Sequence, residues 1–87
     1  MMAEGEKKFV GKVVNYFSKI SVAIIELKDG LTIGDMISVE GATTNIKQTV
    51  ESMQIQHKAV EKARKGESIG LKIVAHCRKG DSVYKIG

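Results

Sequence analysis

Residues 60–73 read VEKARKGESIGLKI, and the stretch changes character at Gly66. The residues before Gly66 are mostly charged, whereas apolar and polar side chains alternate after it, as they do in a half-buried β-strand. A glycine at the change can adopt the positive φ that most residues resist, which lets the chain reverse into the strand. Gly70, inside the strand, is expected to leave room for a neighbouring backbone. The stretch therefore predicts a turn followed by a strand.

The same alternation predicts strands along most of the chain of 87 residues. It runs from Ile69 to Cys77 without interruption, and valine, isoleucine and aromatic side chains favour strands elsewhere. Nine glycines and no proline indicate short turns between the strands. Residues 1–8 are expected to form a flexible leader and residues 9–87 a single domain. The other predicted strands cover residues 8–17, 20–27, 36–40 and 82–86.

Residues 43–55, TTNIKQTVESMQI, do not keep a single alternation. The apolar residues before Glu51 share one parity, whereas Met53 and Ile55 share the other. Because successive side chains of a strand point to opposite faces, one straight strand cannot bury both sets against one core. A β-bulge or sharp bend near Glu51 and Ser52 is therefore predicted.

Two segments share a Gly-Asp pair, an apolar residue and a second glycine at equal spacing. They are GDMISVEG at residues 34–41 and GDSVYKIG at residues 80–87. Glycine and aspartate favour turns, so this echo predicts two similar turns, each ahead of a strand. Structural roles in turns are assigned to Gly34, Asp35, Gly66, Gly70, Gly80 and Asp81.

About six strands with no convincing helix predict an all-β domain. A domain of this size has a thin core, and closure of the sheet would hide its edges. The predicted fold is therefore a small closed Greek-key β-barrel.

Composition and charge exclude several classes of protein. The longest apolar run, residues 22–25, is far too short to cross a membrane, and the N-terminus has no signal-peptide pattern. Cys77 is the single cysteine, which excludes an internal disulfide and makes the cytoplasm the expected location. The formal net charge of +4 is a mild bias toward anionic partners. No cofactor is expected.

Much of that charge lies in residues 57–66, which carry four positive charges and one negative charge. A solvated loop is one interpretation, because charge runs usually face water. The alternative is a phosphate-facing surface, whose contacts would displace counterions and make binding salt-sensitive. The candidate binding residues are Lys58, Lys62, Arg64 and Lys65.

A second candidate surface is the connection between the first two strands, NYFSK at residues 15–19. Tyr16 and Phe17 are adjacent, so an extended chain points them to opposite faces and can expose one ring beside Lys19. Such a ring could stack on a nucleobase. The alternative is that one ring caps the core and the other packs on a loop.

Enzymatic chemistry has little support in the residues. His76 and Cys77 are neighbours on a predicted strand, where their side chains point to opposite faces and cannot act as base and nucleophile together. Cys77 is expected to be a small core residue. Asp35 and Asp81 are better explained by turns than as an acid–base pair, and no metal site is expected. The domain is predicted to be non-catalytic.

The order of strands and several motifs resemble the second domain of translational GTPases such as elongation factor Tu and initiation factor 2. The first strand contains Gly-x-Val, as at residues 10–13, and Gly-Asp pairs open later strands at residues 34–35 and 80–81. Residues 50–53, VESM, are similar to the pattern of that domain's long strand. The most specific match is residues 63–71, ARKGESIGL, in which alanine, two glycines and an acid stand at the spacing typical of the family.

This resemblance implies a β-barrel that faces the acceptor end of tRNA or the small ribosomal subunit. It implies an RNA-directed accessory role in which tRNA or ribosomal RNA contacts the candidate residues of both surfaces. The chain lacks the glycine-rich phosphate loop that ends in lysine and serine or threonine, so we expect no binding of GTP by itself.

A similar barrel forms the C-terminal domain of collagenase-like peptidases, where it accompanies a separate catalytic domain. Asn15-Tyr16 and Gly34-Asp35 resemble that version at least as well. This second resemblance implies a protein-interaction module whose binding depends little on salt. The sequence therefore predicts an RNA-directed module, with a protein-interaction module that partners a separate enzyme as the alternative.

Overall fold

A computed structural model of the chain describes residues 7–86 as an all-β structure, which confirms the predicted class. These residues form ten strands, so the predicted number of about six is too low. Of the predicted leader, residues 1–6 lie outside the described residues, and Lys7 and Lys8 belong to the first strand. Within the described part, no helix has the length and apolar character that crossing a membrane requires. The strands are β1 (Lys7–Phe17), β2 (Val22–Leu27), β3 (Leu31–Thr32), β4 (Met36–Glu40), β5 (Asn45–Thr49), β6 (Met53–Ile55), β7 (Lys58–Val60), β8 (Lys62–Ala63), β9 (Ser68–Lys72) and β10 (Ser82–Ile86).

Eight strands form one antiparallel sheet in the order β5-β4-β10-β1-β2-β9-β6-β7, and β3 pairs with β8 apart from it. The first and last strands of the chain are neighbours, with Lys7 opposite Ile86. The two ends of the sheet, β5 and β7, share no ladder within residues 7–86, so the predicted closed barrel is wrong. The described residues are nonetheless compact: their radius of gyration is 11.7 Å, close to the roughly 12 Å of a globular domain of this length.

The segment after β9 contacts β5, one of the two end strands of the sheet. The alternation predicted a strand from Ile69 to Cys77, but β9 ends at Lys72. The Gln48 side chain of β5 joins the two segments: its amide nitrogen donates to the Lys72 carbonyl at 2.8 Å, and its amide oxygen accepts from Val74 N–H at 2.8 Å. Gln48 thus makes a pair of hydrogen bonds like those of a neighbouring strand.

The predicted bend in the long segment is confirmed. β5 ends at Thr49 and β6 begins at Met53, and the residues between them belong to no strand. β5 pairs with β4, whereas β6 pairs with β7 and β9, so the bend carries the chain from one end of the sheet toward the other. Val50 and Met53, on the two sides of the bend, are both buried. The change of parity therefore lets both apolar sets face the core.

The core is built from the inward-facing side chains of these strands. Buried residues alternate with half-buried ones along Val22–Leu27, because successive side chains of a strand point to opposite faces. Cys77 belongs to the core, as predicted, although it follows the end of β9. The buried apolar residues are Val10, Val13, Ala23, Ile25, Leu27, Leu31, Ile37, Val39, Ile46, Val50, Met53, Ala63, Ile69, Leu71, Ile73, Cys77 and Val83.

Three turns of four residues share one set of hydrogen bonds. In each, the third residue is a glycine with φ between 91° and 98°, and the fourth is an acid whose carboxylate accepts from the N–H of the first. The glycine N–H and the acid's carbonyl also pair with one apolar residue elsewhere in the chain. The turns are residues 32–35, 64–67 and 78–81, and they precede β4, β9 and β10. The Gly-Asp echo is therefore a repeated turn, and Gly66-Glu67 is a third copy of it.

Candidate functional site

An apolar groove lies on the outer face of the sheet, across β2, β9 and β6. Its volume is about 370 Å³. β2 supplies Val22 and Ile24, which point outward because Ala23 and Ile25 point into the core. We call this surface the outer groove. It is lined by Phe17, Ile20, Val22, Ile24, Gln54, Gln56, His57, Ser68, Ile69 and Gly70.

Gly70 forms the floor of the outer groove. A methyl group built on its Cα would lie 3.5 Å from Val22 Cγ1 and 3.8 Å from Ile24 Cδ1, which are ordinary contact distances. The sequence suggested that Gly70 makes room for a neighbouring backbone, but the backbone atom near such a methyl group is Gln54 O, at 3.9 Å. The missing side chain therefore deepens the groove.

Two large apolar side chains stand at one end of the outer groove and are exposed. Phe17, at the end of β1, is 46% exposed, and Ile20, in the turn between β1 and β2, is 61% exposed. Single exposed apolar side chains are ordinary, but these two line one groove together with Val22 and Ile24. A contiguous apolar surface of this kind is typical of a contact surface.

The turns that border the outer groove have an unusual backbone. Ser21, Gln56 and His57 have φ of 56°, 51° and 65°, and they are the non-glycine residues of the described chain with positive φ. Gln56 and His57 form the two-residue connection between β6 and β7, where asparagine and glycine fit best. Left-handed backbone outside glycine costs on the order of 1 kcal/mol or more per residue and is concentrated at functional sites. Both hairpin turns therefore place left-handed, non-glycine backbone next to the groove.

The outer groove has a cationic border. Lys72 lies opposite Val22 across β9 and β2, and Lys19 belongs to the turn between β1 and β2; both side chains are exposed. Among the described residues, those that line the groove include no carboxylate. Glu26, farther along β2, accepts a hydrogen bond from Lys28 Nζ at 2.6 Å, which lowers the pKa of the Glu26 carboxyl. Neither Lys19 nor Lys72 lines the groove itself, and Glu26 lies opposite the groove residue Ser68. Because Lys28 pairs with Glu26, the charges next to the groove have a positive balance.

The basic residues predicted to bind RNA lie on three successive elements. Lys58 is in β7, Lys62 is in β8, and Arg64 and Lys65 lie in the turn before β9. All four side chains are exposed, and none forms a side-chain ion pair within residues 7–86. Their role in binding stays a prediction.

The aromatic residues of the other predicted surface are separated. Phe17 lines the outer groove, whereas Tyr16 packs against the core from the opposite face, as neighbours on a strand do. The Tyr16 ring meets the His76 ring edge-on, with centroids 4.9 Å apart. Arg78 and Lys79 line the same shallow hollow as these two rings. The structure therefore divides the predicted aromatic surface between two places.

His76 and Cys77 are not placed for nucleophilic catalysis. Cys77 is buried, whereas His76 is exposed with its ring on Tyr16. Burial and the nearby Asp81 carboxylate raise the pKa of Cys77 to about 11, so the thiol stays protonated at neutral pH. Over the range that the structure describes, no three His, Cys, Asp or Glu side chains are grouped as metal ligands are. A non-catalytic role stays a prediction.

The outer groove is not predicted as a surface from the sequence, although Phe17, which lines it, belongs to the predicted surface at residues 15–19. Ile20, Val22 and Ile24 belong to a segment that is apolar on both faces at its centre, and that second apolar face is the signal of a covered surface. Gly70 and His57 reach the groove from segments distant along the chain. No local pattern reveals that these residues meet.

Two curated proteases resemble the chain in sequence. An uncharacterized protease of Methanocaldococcus jannaschii is 51% identical over 76 residues, which cover 86% of this chain and 19% of the relative. A collagenase of Porphyromonas gingivalis is 40% identical over 82 residues, which cover 92% of this chain and 23% of the relative. The chain thus spans about a fifth of the length of the curated relatives it matches.

The structure resembles a solved peptidase domain. The C-terminal domain of a Geobacillus thermoleovorans protein assigned as a U32 peptidase superposes with a TM-score of 0.86 at 18% identity, covering 92% of this chain and 93% of that chain. The selenomethionine variant of the same domain gives a TM-score of 0.83, covering 87% of this chain and 96% of that chain. At this level of identity the likeness shows the fold alone.

The comparisons separate the two resemblances noted in the sequence. The chain resembles the C-terminal domain of U32 and collagenase-like peptidases, in agreement with one of them. The identification with the second domain of translational GTPases is not supported. No protein-family model matches the chain.

Proposed function

We propose that the chain is a non-catalytic domain that binds the body of a collagenase-like peptidase through the outer groove. The observation that carries this proposal is the contiguous apolar surface of Phe17, Ile20, Val22 and Ile24. Removing such a surface from water contributes roughly 25 cal/mol per Å² of apolar area. The curated relatives, named as proteases, extend well beyond the matched segment, so a larger body is available to cover it.

A binding role fits the chemistry of the groove better than a catalytic one. Ser68 and His57 both line it, but no hydrogen bond within the described residues joins their side chains. A serine nucleophile needs a base in hydrogen-bond contact and a third group that orients the base. The Cys77 thiol is buried and protonated, which removes the other candidate nucleophile.

The test uses a chimera of the Methanocaldococcus jannaschii relative in which this chain replaces the matched segment. Hydrogen–deuterium exchange is measured on the free chain and on the chimera. The turn amides at residues 18–21 and 56–57 are expected to exchange at least tenfold more slowly in the chimera, because a docked surface shields them from water.

The turn at residues 41–44 serves as the internal reference, because it joins β4 to β5 at the other end of the sheet order. Its amides are expected to exchange equally in the free chain and in the chimera. Unchanged exchange at residues 18–21 and 56–57 would contradict docking through the groove.

Two expectations from the sequence stay predictions beside this proposal. The exposed cations at residues 58–65 remain a candidate surface for tRNA or ribosomal RNA, and the cytoplasm remains the expected location. The proposed docking does not use those cations. Titration of labelled tRNA with the chain and with Arg64→Glu/Lys65→Glu therefore tests the RNA role independently of the groove.

A further inference from the structure

We infer that the outer groove receives an extended segment of the peptidase partner, in which a bulky apolar side chain stands between carboxylates. This inference rests on the proposed function and adds the chemistry of the bound segment. Three properties of the groove support it: its lining, its polar groups and the charge of its border.

The lining selects an apolar side chain. Phe17, Val22 and Ile24 present carbon surface, and Gly70 leaves the floor open. The groove volume is about 370 Å³, near the lower end of the roughly 300–1,000 Å³ of pockets that hold small ligands. A volume of this size suits one or two side chains of a partner better than a broad globular surface.

The polar groups of the groove suit a peptide backbone. Gln54, Gln56 and Ser68 contribute amide and hydroxyl groups, which both donate and accept hydrogen bonds. Within residues 7–86, no side-chain hydrogen bond occupies them. Alternate side chains of an extended peptide point the same way, so one can enter the groove while the peptide's N–H and C=O groups lie over these polar residues. The bound segment is therefore extended.

The border selects negative charge. Lys72 lies opposite the groove residue Val22, and Lys19 lies between the groove residues Phe17 and Ile20 in the sequence. Neither lysine forms an ion pair within the described part of the chain. Glu26, an outward carboxylate of β2, is already held by Lys28. An acidic segment would meet complementary charge here, whereas a basic segment would meet repulsion. The carboxylates of the bound segment are placed on either side of its apolar residue.

Substitution of the turn residues Gln56 and His57 is expected to change binding and stability in opposite directions. Replacing the pair by asparagine and glycine suits the left-handed backbone and is expected to stabilise the free chain. The same replacement shortens the Gln56 side chain and removes the His57 side chain, both of which line the groove. Gln56→Asn/His57→Gly is therefore expected to raise Tm and to weaken binding of the segment several-fold, a combination that misfolding does not produce.

Fluorescence anisotropy with labelled nonapeptides tests this inference on the intact chain. The first peptide has leucine and phenylalanine at its centre and two glutamates on each side. The second replaces glutamate by lysine, and the third keeps glutamate and places serine at the centre. At low salt, the acidic apolar peptide is expected to bind at least tenfold more tightly than either of the others.

Variants of the chain locate the binding site. Gly70→Val fills the floor of the groove, and Lys19→Glu/Lys72→Glu reverses its border; each is expected to weaken binding of the acidic apolar peptide at least tenfold. Lys47→Glu, exposed on β5, is the matched charge control and is expected to leave binding within twofold. Thermal melting of each variant verifies that it is folded.

The outcomes distinguish this inference from the proposed function. Equal binding of the three peptides, or binding unaffected by Gly70→Val, would overturn the inference. Absence of binding by every peptide, together with slowed exchange in the chimera, would overturn the inference and leave docking through the groove standing. Unchanged exchange in the chimera would remove both.

Discussion

Two glycines inside strands lack a side chain for opposite reasons. Gly11 lies in β1 where its pairing with β10 shifts register, and a methyl group on its Cα would stand 2.6 Å from the Glu26 carbonyl oxygen. Gly70 would place the same methyl group in the outer groove at ordinary contact distances. The sequence shows a glycine within a strand in both cases. Only the positions of neighbouring strands distinguish a close approach from an open groove.

At Gly11 the backbone must move to admit a side chain. Gly11→Ala is expected to lower the free energy of unfolding by about 1–3 kcal/mol, the usual cost of overpacking. Gly70→Ala is the matched control: it is expected to stay within about 0.5 kcal/mol of the unaltered chain or to be more stable, because alanine limits the unfolded chain more than glycine does. Urea unfolding of the two variants measures the difference. Equal destabilisation would show that the two glycines have the same role.

At the scale of the strands, side-chain alternation and backbone pairing end at different residues. Ile73 and Cys77 remain buried after β9 has ended at Lys72, whereas Ala75, which has the same parity in the sequence, is exposed. The Ile73 N–H donates to the Ser21 carbonyl at 2.8 Å, which continues the register of β9 with β2 by one residue beyond the strand. The apolar alternation of the sequence therefore overestimates this strand by five residues, whereas the bend before Met53 is predictable because both of its sides are paired strands.

The Gln48 side chain is expected to stabilise the contact between β5 and the segment that follows β9. Gln48→Leu removes one donor and one acceptor and is expected to lower the free energy of unfolding by about 1–2 kcal/mol. The Val74 amide is expected to exchange with deuterium several-fold faster. Gln54→Leu, an exposed amide of β6 without such a pair, is the control and is expected to leave Val74 unchanged. Unaltered exchange at Val74 in Gln48→Leu would show that the bridge carries no stability.

At the scale of the whole molecule, a buried thiol links global stability to alkaline pH. The pKa of Cys77 in the folded chain is raised to about 11, whereas an unfolded cysteine titrates near 8.5. Between these values the unfolded chain has released the proton and the folded chain still holds it. The folded state then binds more protons, so its stability falls as pH rises through this window.

Cys77→Ala removes this pH dependence. The stability advantage of the unaltered chain over Cys77→Ala is expected to shrink by roughly 2–3 kcal/mol between pH 8 and pH 11, at about 1.4 kcal/mol for each unit of pKa shift. Urea unfolding of both proteins at several pH values measures the difference and cancels the titration of lysine and tyrosine side chains. A difference that stays constant with pH would contradict the raised pKa.

The all-β class follows from local alternation, because each strand must bury one set of side chains. Closure of the sheet does not follow, since it depends on whether the end strands β5 and β7, which are distant in the strand order, pair with each other. The outer groove is also invisible to local patterns, because β1, β2, β6 and β9 meet only in the folded molecule. Exposed cations such as Arg64 and Lys65, in contrast, are recognised in the sequence because they are adjacent along the chain.

The neighbouring positions of Lys7 and Ile86 set the minimum length of a linker that can join either residue to a ligand in the outer groove. Because these two residues face each other across β1 and β10, the chain enters and leaves the described domain at one place. Phe17 lies at the opposite end of β1, about 30 Å away at roughly 3.3 Å per residue. A polypeptide joined at Lys7 or Ile86 therefore needs nine or more extended residues to reach the Phe17 end of the groove, at about 3.3–3.6 Å each. A ligand that contacts Phe17 must therefore lie at least this many residues beyond Lys7 or Ile86 in the same polypeptide, or belong to another molecule.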